Sequence, residues 1–335
     1  MIPTLFGIML ITFIITQFVP GGPVEQLVSQ LTGNDQIQEA GSVSNSIYRG
    51  ADGIDKERLK EIQDLYGFDK PPAERFLNMM KNYLFFDLGD SYFYHQSVIS
   101  LMASKLPVSI SLGLWTFFLT YLTCIPLGIA KAVRDGSRFD TISSTLILIG
   151  YSVPGFILGI GLLVLLGGGS FWDVFPLRGI VSDNWDSLST VDKILDYLWH
   201  MTLPIIASMI GSFAVMTILT KNSFIEEIRK QYVITAKAKG LSEKKVLYKH
   251  IFRNALIPLV TGFPAAFIGA FFANSLLIET IFSLDGLGLL SYESILKRDY
   301  PVVLGSLYLF TIIGLVTKLI TDLCYVWVDP RVKFD

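Results

Sequence analysis

Ionisable side chains inside apolar runs are the first places to look for chemistry, because a charge in hydrocarbon is expensive and is kept where it pairs, lines a path or relays a proton. Glu279, Lys318 and Asp322 hold such positions. Lys318 and Asp322 stand four apart, on one face of any helix that carries them, where they can satisfy each other. For all three, local pairing or packing competes with a proton path. The remaining chemistry is sparse. Gly167-Gly168-Gly169 runs into Ser170 and Phe171 without the lysine of a phosphate-cradling loop, and no Gly-x-x-x-x-Gly-Lys-Ser/Thr occurs, so ATP must be handled by other chains. No Gly-x-Ser-x-Gly supports a serine hydrolase. His95, His200 and His250 are isolated in sequence and read as surface or interface residues, without a metal-ligand pattern. Cys124 and Cys324 lie in apolar runs and read as small buried hydrophobes. The expectation is a chain with no catalytic, cofactor-binding or metal site of its own.

The elements that must position these residues are membrane helices. Of the 335 residues 51% are hydrophobic and 17% charged, a balance that suits a bilayer better than water. A spanning helix needs about 20 mainly apolar residues. Six runs approach or exceed that, at 2–18, 108–130, 141–166, 203–219, 256–281 and 302–326. The first could also be the core of a signal peptide, but it is long for one, lacks a basic leader, and ends in Pro20-Gly21-Gly22-Pro23 without a small-residue cleavage pattern. The expected fold class is an all-α integral membrane protein of six transmembrane helices.

Lysine and arginine in short connections set the direction of the weave. Lys131, Arg134 and Arg138 follow the second run, and Lys221, Arg229, Lys230, Lys237, Lys239, Lys244, Lys245, Lys249 and Arg253 follow the fourth. The tail adds Arg331 and Lys333. The third-to-fourth connection instead carries Asp173, Asp183, Asp186, Asp192 and Asp196, and the fifth-to-sixth one mixes Asp285, Glu293 and Asp299 with Lys297 and Arg298. Every second connection is basic, which places both termini on the cytoplasmic side. With a net charge of -2, no basic excess points to nucleic acid.

The first exterior connection, 19–107, is long enough to form a small subdomain. Its 33–53 part is polar and rich in Gly and Ser. Then Ile54, Leu59, Ile62, Leu65 and Tyr66, and after them Phe76, Met79, Met80, Tyr83 and Leu84, recur at helical spacing and predict two amphipathic helices. The chain thus divides into a first span at 1–18, the subdomain at 19–107, a five-helix core at 108–327 with a cytoplasmic loop at 221–256, and a cytoplasmic tail at 328–335.

That cytoplasmic loop is the one segment with a mechanism in it. Gly240 lies between two helix-forming stretches, where it can close the first in a left-handed conformation, and Ser242 can cap the second. Small Ala236 and Ala238 leave a face open to close packing. A helix, a sharp corner and a second helix suit insertion into a groove on a cytoplasmic partner, although a basic loop beside a membrane is also what orientation alone would produce.

Small residues, then Gly240, then Asn254-Ala255-Leu256-Ile257-Pro258 resemble the EAA loop of ABC-importer permeases in its peptide-importer version, with Thr235 where the glutamate usually stands. The resemblance to binding-protein-dependent oligopeptide and dipeptide permeases continues along nearly the whole chain. It runs through Ile2-Pro3-Thr4-Leu5-Phe6-Gly7, Tyr66-Gly67-Phe68-Asp69-Lys70-Pro71, Asp87-Leu88-Gly89-Asp90-Ser91, Leu106-Pro107-Val108-Ser109 and Pro126-Leu127-Gly128-Ile129. Phe282-Ser283-Leu284-Asp285-Gly286-Leu287-Gly288, Arg298-Asp299-Tyr300-Pro301 and Asp329-Pro330-Arg331 complete it. Phe175-Pro176-Leu177-Arg178-Gly179, Asn222-Ser223-Phe224 and Arg229-Lys230-Gln231-Tyr232 resemble the Yej-type branch of these inner-membrane permeases, which implies oligopeptide or microcin C cargo.

The resemblance implies the type I importer permease fold in a bacterial inner membrane. Its implied partners are a second, different permease, cytoplasmic ABC ATPases that bind ATP and Mg, a periplasmic peptide-binding protein, and membrane lipid. Thr235, Ala236, Ala238, Gly240, Leu241 and Ser242 would couple to the ATPase, and Asp285, Gly286 and Gly288 would dock the binding protein. The rival function is an ion-coupled secondary transporter, which predicts inverted repeats and ionisable groups near midplane, neither of which is clear here. A membrane-embedded enzyme lacks a nucleophile or metal constellation.

Overall fold

The computed structural model describes residues 1–18, 70–168, 171–272 and 275–328. The 33–53 loop, the amphipathic helix expected around Ile54 to Tyr66, the start of the Tyr66 motif, the Asp329-Pro330-Arg331 signature and the tail lie outside them. Every regular element among the described residues is helical.

In chain order the helices are α1 (Ile2–Phe18), α2 (Pro72–Leu84), α3 (Val98–Val133), α4 (Arg138–Tyr151), α5 (Gly155–Leu166), α6 (Thr190–Ile228), α7 (Gln231–Ala238), α8 (Glu243–Ala255), α9 (Ile257–Phe272), α10 (Ser275–Ile281), α11 (Leu287–Lys297) and α12 (Tyr300–Val328). Serines start α3, α4 and α6. Ser97, Ser137 and Ser189 each accept the backbone N–H three residues on, which satisfies a donor with no intrahelical partner. Asp140 and Asp192 sit in the first turns of α4 and α6, where a carboxylate also favours the positive end of the helix.

All six apolar runs are helical where described, but two are not straight. Three helices, α3, α6 and α12, are long and apolar enough to cross a bilayer unaided. The third run breaks at Ser152-Val153-Pro154 into α4 and α5, which meet at 91°. Pro154 removes a backbone donor and disfavours helical geometry at the residue before it, and here the helix breaks, whereas α3 and α6 continue through Pro107, Pro126 and Pro204. The fifth run begins with a 50° bend between α8 and α9, at Leu256, and α8 contains a π turn at Leu247–Ile251. Counting each bent pair as one span gives five, and α1, with 17 residues, is shorter than the other candidates.

The described residues form two compact units. The first lies within Met1–Ser104 and Leu290–Ile312. In it Phe76 of α2 packs on Phe6 and Phe13 of α1, with ring centroids 5.5 and 5.3 Å apart. The amphipathic face expected on α2 is present, since Phe76 and Tyr83 are buried and Met79 and Met80 half-buried, whereas Leu84 at its end is exposed. Tyr308 donates to the Tyr83 carbonyl at 2.9 Å, and Asp299, fully buried, accepts from the Ser91 hydroxyl and from Tyr92 N–H at 3.2 Å.

The second unit lies within Lys105–Leu289 and Ile313–Asp335. It has one core around Leu112, Met201, Leu203, Ala207, Ile278, Phe282 and Leu284, and another around Ile129, Ala132, Phe224, Val233, Ala236, Val246, Ile251 and Ala255. Residues of α3 and α6 contribute to both. Between membrane helices such cores gain from close packing rather than from transfer out of water, since lipid tails are as apolar as the side chains themselves. Three expectations change here. Lys131 is a buried residue inside α3, 1% exposed, rather than a solvated loop cation. His200 is buried rather than at the surface, its Nδ1 2.8 Å from the Asp196 carbonyl. Lys318 is exposed on α12 and makes no ion pair with Asp322, so four-residue spacing permits that pair without forming it.

Candidate functional site

The 231–255 segment forms the helix-corner-helix that its residues predict. The end of α7 is a Schellman motif: Gly240 N–H donates to the Lys237 carbonyl at 2.9 Å and Leu241 N–H to that of Ala236 at 3.4 Å. Gly240 holds φ +80°, a conformation a side chain resists. Leu241 packs into the core that contains Ala236, the apolar contact that accompanies this motif. Ser242 occupies the N-cap position of α8 with extended backbone, yet its side chain makes no capping bond, so its hydroxyl is not the cap expected of it.

The six residues of this corner divide by direction. Ala236 is buried and Leu241 half-buried against the chain's own α3, α6 and α8, so they build the corner rather than its outer surface. Thr235, Ala238, Gly240 and Ser242 are exposed. The expectation that Ala236 and Ala238 share an open face fails, because residues two apart on a helix point to opposite sides. Ile234, 56% exposed, joins Thr235 and Ala238 on the outer face. Its signal was available as an apolar residue four before Ala238, amid lysines.

A polar knot fastens the base of the corner. Glu227 at the end of α6 accepts from Tyr232 Oη at 2.5 Å and from Lys230, and Tyr232 also hydrogen-bonds Asn254 of α8. The Glu227 carboxylate beside Lys230 raises that ammonium's pKa, and burial followed by the same carboxylate raises that of Tyr232. Next to it, Lys131 Nζ reaches Asp140 Oδ1 at 3.1 Å and the Ser143 and Ser144 hydroxyls at 2.7 Å. Lys221 of α6 binds Asp140 Oδ2 at 2.7 Å and Asp135 at 3.2 Å. Two connections that looked like separate basic loops are therefore joined by buried charge.

The second candidate group lies in the 282–288 loop. Asp285 is exposed and paired with Lys105. Gly286 is buried, and a Cβ there would fall on the Glu279 carboxylate. Gly288 is half-buried in the first turn of α11. Gly179 N–H donates to the Phe282 carbonyl at 3.0 Å, so the Phe175–Gly179 motif meets this loop. Ser109, at the near end of α3, touches the loop, while Ile129 and Ala132, at the other end, touch the corner. Twenty residues of helix separate Ser109 from Ile129, about 30 Å, roughly the thickness of a bilayer's hydrocarbon.

Comparison with known proteins adds to this geometry. Residues 124–334 match the family model described as "Binding-protein-dependent transport system inner membrane component". The chain is 57% identical to the peptidoglycan transport system permease protein YejB of Agrobacterium fabrum and 52% identical to the inner membrane ABC transporter permease protein YejB of Escherichia coli O157:H7. Each alignment covers 100% of this chain and 96% of the relative. It is 31% identical to the dipeptide transport system permease protein DppB of Escherichia coli K12, over 99% of this chain and 96% of that one. Among solved structures, an inward-facing MetNI methionine ABC transporter chain matches with TM-score 0.53 and 16% identity, over 69% of this chain and 97% of that chain.

Proposed function

The chain belongs to the family of binding-protein-dependent transport system inner membrane components, and from that premise we propose that it forms half of the translocation pathway of an ATP-driven peptide importer. A second, different permease forms the other half. Cytoplasmic ABC ATPases, separate or fused, engage the outer face of the corner through Ile234, Thr235, Ala238, Gly240 and Ser242, with Ala236 and Leu241 as its internal support. A periplasmic peptide-binding protein docks at Asp285, Gly286 and Gly288. The chain crosses the inner membrane six times with both termini in the cytoplasm, α1 and the two bent runs counting as spans. The 19–107 segment then lies outside, 108–327 forms the core, and 328–335 is the cytoplasmic tail.

The observation that carries this reading is the Schellman corner, fastened by buried contacts to α3 and α6, the helices that also hold the core beneath the other loop. Closure of the ATPase pair would push the corner, and α3 and α6 would move with it because a packed core does not deform freely. ATP and Mg act in the partner, and this chain's part is mechanical. Oligopeptide is the cargo class, with microcin C and the peptidoglycan named for the Agrobacterium relative as the finer candidates.

The test is a pull-down of tagged chain from solubilised membranes, with mass spectrometry of what stays bound. We expect a second permease and a P-loop ATPase, and loss of the ATPase in Gly240→Glu, whose side chain would project from the corner into the partner. Recovery of the chain alone, with ion-dependent uptake after reconstitution, would overturn the importer reading.

A further inference from the structure

We propose that Glu279 is a positioning residue for the binding-protein loop, its buried carboxylate holding the 282–288 segment in the shape the peptide-binding protein meets; this rests on the docking reading above. Glu279 lies on α10 with no exposed surface. It accepts from the Ser109 hydroxyl at 2.8 Å and from Leu289 N–H at 2.8 Å, and Ser109 Oγ in turn accepts from Leu287 N–H at 2.8 Å. Leu287 and Leu289 are in the first turn of α11, where backbone donors have no intrahelical acceptor.

Those donors are normally satisfied by a Ser, Thr, Asp or Asn directly before the helix. Here that place is Gly286, which has no side chain to offer, and α11 is capped instead from α3 and α10. The glycine is required by the arrangement, since a Cβ would occupy the carboxylate's space. The loop backbone is tied to the same carrier, with Leu284 N–H donating to the Glu279 carbonyl at 2.7 Å and Ser283 forced to φ +51°. A local cap would serve the helix at no desolvation cost, whereas a fully buried carboxylate must offset one. What the remote cap adds is linkage. The loop follows α3 and α10, so a movement of those helices alters the surface offered to the binding protein.

The experiment uses the whole importer in proteoliposomes, with ATPase rate measured against concentration of its peptide-binding protein. Glu279→Ala removes both acceptor oxygens, and Ser109→Ala removes one hydroxyl, a milder change should the first variant fail to assemble. Loop order is read separately as maleimide labelling of Leu284→Cys, a buried position, in a Cys324→Ser background. Either variant is expected to raise the half-saturating binding-protein concentration about ten-fold with maximal rate nearly unchanged, the pattern of lost binding rather than lost turnover, and to speed labelling about ten-fold. Parent-like labelling and half-saturation overturn the role of Glu279, and the docking reading then stands or falls on Asp285→Lys. Faster labelling with parent-like half-saturation overturns the docking reading and this role with it.

Discussion

Asp299 shows what burial does to one side chain. It is fully buried in the first unit, and burial pushes its carboxyl above the ordinary range even though Ser91 and Tyr92 donate to it. The folded chain therefore binds this proton more tightly than the unfolded chain does. The resulting contribution to stability is greatest below the unfolded value of about 3.9 and is lost as pH rises through the raised folded value. In detergent, the parent is expected to gain melting temperature between pH 7 and pH 5 relative to Asp299→Asn; equal gains would show that Asp299 stays ionised throughout. The sequence offers Ser91 and Asp299 as members of two separate family motifs, and Asp299 as one charge in a mixed connection, with nothing to join them. The two lie some 200 positions apart, and a hydrogen bond at that separation leaves no local pattern. Lys131 reads as a loop cation from its place at the end of an apolar run, and it is buried because the turn after α3 brings Asp140, nine positions on, back to it.

At the scale of elements, local signals served well where one residue type has one use. Gly240 was readable as a helix stop because positive φ suits glycine, and the Schellman bonds follow from it. Among the described residues, no atom beyond the two chain neighbours lies within 4 Å of a Cβ built there, so Gly240→Ala meets mainly the backbone penalty of about 1–2 kcal/mol. Peptide uptake in cells is expected to fall less than about ten-fold in Gly240→Ala and to vanish in Gly240→Glu. Equal loss in both would make the corner's conformation, not its outer surface, the coupling feature. Less legible was the break at Pro154. Hydropathy over 141–166 is continuous, and a proline alone does not mark a break, since α3 and α6 run on through theirs, yet at Pro154 the chain turns by 91°.

For the whole molecule, the pattern of basic connections gave a direction to the weave, and the helices supply the ruler. The corner and the 282–288 loop sit at opposite ends of α3, about 30 Å of helix apart. With Lys239→Cys and Ser283→Cys, both exposed positions, a membrane-impermeant maleimide should label the second in right-side-out vesicles and the first only in inverted ones. Labelling of both from one side would refute the orientation. The grouping into two units was beyond sequence reading, because Leu290–Ile312 joins residues that precede Lys105. Apolar periodicity marks which face is buried and is silent on what buries it.

The bend between α4 and α5 bears on how the run is supported. With 14 and 12 residues, the halves are about 21 and 18 Å long, and neither alone reaches across the hydrocarbon. As sequence the run is one continuous apolar segment, 141–166, and only the fold divides it into two arms. Both pack on α6 in the finished protein. The 39-residue helix is thus the common support of two arms that are each too short to span alone.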